Sequence, residues 1–152
     1  MRSTGSRDLF KAGIAGTPVS LPRVVFVCLG NVCRSQMAEG FGRHMGTGII
    51  VSTSAGLTPG MMVDPVTKQV MAEKGIDLEM QFPKAISLAT TQGAELVVNM
   101  SGYPLPPGVT LPTVEWQVPD PHTRPLHIHR EIRDLVERLV MQLVVEFRMK
   151  RR

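Results

Sequence analysis

The segment Arg23–Cys28 reads RVVFVC, five consecutive apolar residues rich in β-branched side chains and with no polar residue in the alternate positions. A strand with one wet face alternates polar and apolar residues, whereas an uninterrupted run of this length fits a strand covered on both faces, the situation inside a parallel sheet. Parallel neighbours require crossover connections, usually helices. The rest of the chain supplies them in alternation.

From Ser35 to about Met45, the residues Met37, Ala38, Phe41 and Met45 recur at helical spacing, with Gly40 and Gly42 as weak points. Ile49–Thr53 is a second β-branched run, followed by a turn-like Ser54–Gly60. Asp64-Pro65 opens a second helix with a capping side chain and a first-turn proline; Val66, Val70 and Met71 lie on it, and Lys74-Gly75 closes it. A third helix is expected over Lys84–Thr91 and a third buried strand over Glu95–Met100. Ser101–Pro112 holds too many prolines for a helix. Thr113–Val118 reads as a fourth strand running into Pro119-Asp120-Pro121, and apolar residues every three or four positions from Ile128 to Phe147 mark one long amphipathic helix. The expectation is an α/β, three-layer sandwich with a four-stranded parallel sheet and right-handed crossovers. A length of 152 residues suits one domain, placed at residues 23–152, with the Gly-, Ser-, Thr- and Pro-rich residues 1–22 as an N-terminal extension of no assigned function.

Composition narrows the partners. No stretch approaches the roughly 20 apolar residues of a membrane span, and Met1–Leu21 lacks the apolar core of a signal peptide, so a cytoplasmic location is expected. The formal charge of +4 admits nucleic acid or an anionic substrate. The dense basic run, Arg148–Arg152, has no interleaved aromatics and reads as a solvated tail, so no nucleic-acid partner is expected. Glu131, Asp134, Glu137 and Glu146 on the long helix argue against a membrane surface. Cys28 and Cys33 cannot supply a disulfide framework, and their spacing does not suit a zinc knuckle. No metal site is expected either from His122, His127 and His129, because positions 127 and 129 project from different sides of a helix. His44 reads as a surface residue.

In parallel sheets ligands sit at the carboxyl ends of the strands, which directs attention to the loop after the first strand, Cys28-Leu29-Gly30-Asn31-Val32-Cys33-Arg34-Ser35. It joins a strand to a helix N-terminus, where unpaired amides and the helix dipole suit a tetrahedral oxyanion. Gly30 and Asn31 tolerate the left-handed backbone that turns successive amides toward one centre. Cys28 stands at the rim of this cradle, where positive potential favours a thiolate nucleophile. Arg34 offers a planar fork to two equatorial oxygens, and Ser35 a hydroxyl to the sulfur. Expelling an alkoxide or phenoxide needs an acid; Asp120, on the loop after the last strand, lies at the same sheet edge. Asp64, before Pro65, competes for that role but reads as a helix cap.

At this point the chain resembles the low-molecular-weight protein tyrosine phosphatases and the related thioredoxin-coupled arsenate reductases. The resemblance rests on Val25–Gly40 (VFVCLGNVCRSQMAEG), Ser52–Gly56 (STSAG), Gly75-Ile76-Asp77 and Pro119-Asp120-Pro121. It implies a phosphocysteine intermediate on Cys28, phosphate held by Arg34 and the loop amides, Asn31 and Ser54 bracing the loop, and Asp120 as acid, then base. The expected activity is a phosphomonoesterase, a protein tyrosine phosphatase acting on a phosphotyrosine protein or a small phosphate ester, with inorganic phosphate as product and inhibitor and no cofactor. This chain departs from the pattern at Gln36 in place of proline, at His122 and Met61-Met62 on the rim, and at Ser101, where Ser101–Pro112 replaces a helix as in the arsenate-reductase branch. Arsenate reduction is the first alternative and needs resolving thiols; none exists beyond Cys33, which leaves an external thiol. Cys33 is either a partner for a protective disulfide with Cys28 or a residue packed under the loop. A non-catalytic phosphate-binding module is the other alternative, and it would not need Asp120.

Overall fold

A computed structural model describes residues 20–150. Its four strands are β1 (Arg23–Cys28), β2 (Val51–Gly56), β3 (Ala94–Asn99) and β4 (Thr113–Glu115), in the order β2-β1-β3-β4 with every neighbouring pair parallel. The helices are α1 (Arg34–Met45), α2 (Pro65–Ala72), α3 (Leu88–Thr91) and α4 (Leu126–Lys150). The fold is the expected α/β arrangement around a four-stranded parallel sheet.

β1 explains its own sequence. Val24, Phe26 and Cys28 enter the larger core, among Met37 and Phe41 of α1, Met71 of α2 and Val136 and Val140 of α4. Val25 and Val27 point the other way, into a smaller cluster with Ala55, Ala94 and Val97. Both faces are dry, so no position in the run tolerates a polar residue. α1, α2 and α4 form one helical layer. On the opposite face, among the described residues, α3 is the one helix, and Leu105, Val109 and Leu111 of the proline-rich segment complete the cover.

Beyond shifts of one or two residues at other ends, the elements differ from expectation in four places. β2 begins at Val51, because Ile49 and Ile50 close the turn after α1 through bonds to the Gly46 carbonyl; Ser54 therefore lies in a strand. The third helix shrinks to one turn. Lys84–Ile86 instead runs beside Gly56, exchanging backbone bonds of 2.8 and 2.9 Å with it, and the Ser87 side chain then caps Leu88–Thr91. β4 ends at Glu115 because the chain leaves the sheet to turn the Val118 carbonyl toward Arg34, 3.1 Å away. α4 starts before Ile128, at Leu126. Of the expected extension, residues 1–19 lie outside the described residues, as do residues 151 and 152 of the basic tail.

Candidate functional site

β1 stops at Cys28 and α1 starts at Arg34, so residues 28–33 form a turn at the carboxyl edge of the sheet. The carbonyls of Cys28, Leu29, Gly30 and Val32 accept bonds of 2.7 to 3.1 Å from the amides of Leu57, Thr58, Gly60 and Asp64, and the Asn31 carbonyl accepts one from Gln36 Nε2 at 2.9 Å. In a trans peptide each N–H opposes the preceding carbonyl. Pinning these five carbonyls outward therefore directs the amides of Leu29, Gly30, Asn31, Val32 and Cys33 to the other side, where the Asn31 amide meets Cys28 Sγ at 3.3 Å. Asn31 carries the left-handed strain of the turn, at φ 53°; Gly30 has a negative φ, so only one of the two residues expected to adopt that backbone does so.

Cys28 is 2% exposed, with its sulfur 2.9 Å from Ser35 Oγ. Below the loop, Asn31 Nδ2 donates to Ser35 Oγ (2.6 Å) and Ser54 Oγ (3.0 Å), while Asn31 Oδ1 accepts from the Lys84 amide at 2.9 Å. Ser54 Oγ in turn donates to Glu39 at 2.5 Å, and Lys84 Nζ lies 3.6 Å from the same carboxylate. Gln36 reaches the loop and the Phe82 carbonyl, and Gln81 Nε2 donates to Gln36 Oε1 at 2.7 Å. In the sequence Gln36 stands out only as a departure from the family pattern, without its bracing role, and Glu39, Gln81 and Lys84 do not stand out as site residues at all; the spacing of Gln36 and Glu39, one helical turn apart in the first helix, is a signal that could have found two of them.

Arg34 is nearly buried. Nη1 donates to the carbonyls of Met100 (2.7 Å) and Val118 (3.1 Å), Nη2 lies 3.6 Å from Asp120 Oδ2, and Nε has no partner among the described residues. A buried guanidinium N–H left unpaired beside a loop of inward amides is a donor set arranged for an anion. Cys28, Arg34 and Asp120 line one open pocket of about 480 Å³, together with Leu29, Met61, Met62 and His122. The Asp120 carboxylate is 47% exposed, and its Oδ1 accepts from the His122 amide at 3.0 Å.

Asp64 caps α2, its Oδ1 accepting from the Val66 amide at 2.8 Å, but it does more than cap. Its other oxygen lies 3.0 Å from His122 Nδ1 and 3.5 Å from Cys33 Sγ. Burial pushes this carboxyl up, yet the bonds from His122, Val66 and Cys33 outweigh it and hold it below the usual range. Burial pushes the Cys33 thiol far up, and Asp64 adds to the rise. The His129 ring, 1% exposed on α4, is pushed down by burial against the opposing pull of Asp64. His127 is exposed, so the three histidines of the sequence reading do not converge.

An oxyanion cradle between the first strand and first helix of a four-stranded parallel sheet defines a phosphatase-type α/β enzyme. Residues 23–104 match the low molecular weight phosphotyrosine protein phosphatase family, and the chain belongs to that family. A glutaredoxin arsenate reductase from Synechocystis sp. is 35% identical over 134 residues, 83% of this chain and 98% of the relative. A probable low molecular weight protein-tyrosine-phosphatase, EpsP from Ralstonia solanacearum, is 32% identical over 80 residues, 52% of this chain and 55% of that one. A solved arsenate reductase in its phosphate-binding state superposes with a TM-score of 0.77 at 36% identity, covering 84% of this chain and 99% of that one.

Proposed function

We propose that this protein is a cysteine-dependent phosphomonoesterase acting on a phosphotyrosine protein or a small phosphate ester. The observation that carries the reading is Arg34, buried, anchored by two carbonyls and with an unpaired Nε, in one pocket with Cys28 and Asp120. Cys28 Sγ attacks phosphorus; the P–O bond to the leaving group breaks while Asp120 passes its proton to the departing oxygen. The phosphocysteine is then attacked by water, whose proton returns to Asp120. Sulfur leaves as a thiolate, received by Ser35 Oγ and the Asn31 amide at 2.9 and 3.3 Å. The loop amides and Arg34 stabilise the equatorial oxygens throughout. A purely binding module would have no use for Asp120 beside Arg34.

The relatives support a second reading, arsenate reduction with an external thiol. Cys28 attacks arsenic with loss of hydroxide. An incoming thiol then attacks Cys28 Sγ, two electrons pass to arsenic, and arsenite leaves with a mixed disulfide on Cys28. Cys33 is a poor resolving thiol, being buried and bonded to Asp64.

The deciding experiment measures p-nitrophenyl phosphate hydrolysis under reducing conditions and, in parallel, arsenate consumption with glutathione and glutaredoxin. Hydrolysis that vanishes in Cys28→Ser, is competed by phosphate, and falls most for poor leaving groups in Asp120→Asn supports the phosphatase. Thiol-dependent arsenate loss without hydrolysis replaces it with the second reading. Undiminished turnover by Cys28→Ser refutes both.

A further inference from the structure

Cys33 Sγ, at the end of the phosphate loop, a carboxylate oxygen of Asp64 and a ring nitrogen of His129 all lie within 4.8 Å of one another. All three residues are buried, at 1%, 9% and 1% exposure. They come from three separate elements: the N-cap of α1, the N-cap of α2 and the second turn of α4. Among the described residues neither nitrogen of His129 finds a hydrogen-bond partner of ordinary geometry; the Pro121 carbonyl stands near the ring without completing one. A buried imidazole with neither nitrogen satisfied is costly, and a ligand that occupies one nitrogen removes that cost.

We infer that Cys33, Asp64 and His129 form a binding site for a divalent transition-metal ion of the zinc class. The donor set is one sulfur, one nitrogen and one oxygen, which suits a borderline ion and not magnesium or calcium, whose shells are all oxygen. Tetrahedral zinc, about 2.0 to 2.3 Å from its donors, sets neighbouring donors about 3.3 to 3.8 Å apart. Cys33 Sγ and Asp64 Oδ2 already stand at 3.5 Å, so closing the site requires only His129 to move inward by less than the width of an atom. His122, whose Nδ1 is 3.0 Å from Asp64 Oδ2, offers a fourth donor on the pocket side, where Cys33 and His122 both line the route of entry. Binding exchanges the Cys33 thiol proton, released to solvent, for the sulfur–metal bond; nothing is oxidised or reduced. None of the three ligating side chains is assigned a role in the reaction proposed for Cys28.

The test uses the full chain with Cys28→Ser, in which Cys33 is the only thiol, and Co²⁺ as the probe. One Co²⁺ per chain with a thiolate-to-cobalt charge-transfer band, displaced by one equivalent of Zn²⁺, is the expected result. Adding Cys33→Ser abolishes the band. His129→Gln weakens binding at least about tenfold, and the exposed His127→Gln leaves it unchanged. If His129→Gln fails to fold by circular dichroism, Asp64→Asn reads the same site, since asparagine caps α2 as well as aspartate, and the same tenfold loss is expected. No charge-transfer band with equimolar Co²⁺, or a band whose affinity is unmoved by both His129→Gln and Asp64→Asn, overturns the site.

Discussion

Asn31 holds the loop in two separable ways, and a pair of substitutions tells them apart. Its backbone sits at φ 53°, a conformation that costs a residue with a Cβ about 1 kcal/mol or more but costs glycine almost nothing. Its side chain makes three bonds, to Ser35, to Ser54 and from the Lys84 amide. Asn31→Gly relieves the strain and loses the three bonds. At about 1 kcal/mol for each bond, offset by about 1 kcal/mol of strain relieved, the protein loses about 2 kcal/mol of stability. Asn31→Ala loses the same bonds and keeps the strain without the local hydrogen bonding that lets asparagine tolerate it, so it falls a further 1 kcal/mol or so. If the whole of this ordering energy is felt by the cradle, phosphate affinity drops by about thirtyfold in Asn31→Gly, since about 1.4 kcal/mol is tenfold. Urea denaturation of both variants gives the stability difference, and competition by phosphate against p-nitrophenyl phosphate gives the affinity. Asn31→Ala as stable as Asn31→Gly would refute the strain argument, and unaltered phosphate competition in either variant would refute the bracing argument.

Two further outcomes follow from the fold. Gly42 looks like a weak point of α1, yet a Cβ there would meet Ser52 Cβ at 2.8 Å where the helix crosses β2; Gly42→Ala is expected to cost a net ~1 kcal/mol of stability, read as a lower urea midpoint, overpacking outweighing the gain in helix propensity, and a rise in the midpoint refutes this. Glu73 receives Arg130 and Arg133 at 2.7 and 2.6 Å, whose bonds hold its carboxyl down at about 2. Because the folded value lies below the ordinary 4.5, its contribution is present above pH 4.5 and is lost as pH falls toward 2. The melting temperature of Glu73→Gln should therefore fall less steeply across that window than that of the native chain, and parallel curves would refute the assignment.

What was legible in the sequence is what is local in it. Five apolar residues in β1 require two dry faces, and from there the parallel sheet follows without any long-range information. Cys28 and Arg34 share one turn, so their meeting is a matter of backbone geometry; Asp120 follows from the rule that loops after parallel strands gather at one edge. The parts that were not legible depend on side chains that meet across long separations. Glu39 reads as the polar face of an amphipathic helix, and only the approach of Ser54 and Lys84 turns it into a buried anchor. Gln36 and Gln81 bond across 45 residues. Asp64 reads as a cap and is one, but a cap signature does not reveal that the free oxygen of the carboxylate faces Cys33 and His122. The third helix was misjudged because backbone pairing of Lys84–Ile86 with Gly56 prevailed over local propensity.

The two reactions proposed for Cys28 share every contact up to the first bond made to sulfur, and burial bears on how they diverge. Cys28 is 2% exposed, at a pocket rimmed by Met61 and Met62. In the proposed phosphatase reaction, water, at roughly 30 Å³ per molecule, is small enough to reach a phosphocysteine through this pocket, which Asp120 also lines. A protein thiol must bring its own sulfur to within about 2 Å of Cys28 to form a disulfide, which the cradle walls oppose so long as Asn31 and the carbonyl bonds to Leu57, Thr58 and Gly60 hold the loop closed. A small thiol meets no such barrier. If the alternative reaction operates, the same bracing therefore favours a small-molecule thiol, entering by this pocket, over a protein thiol as the reductant.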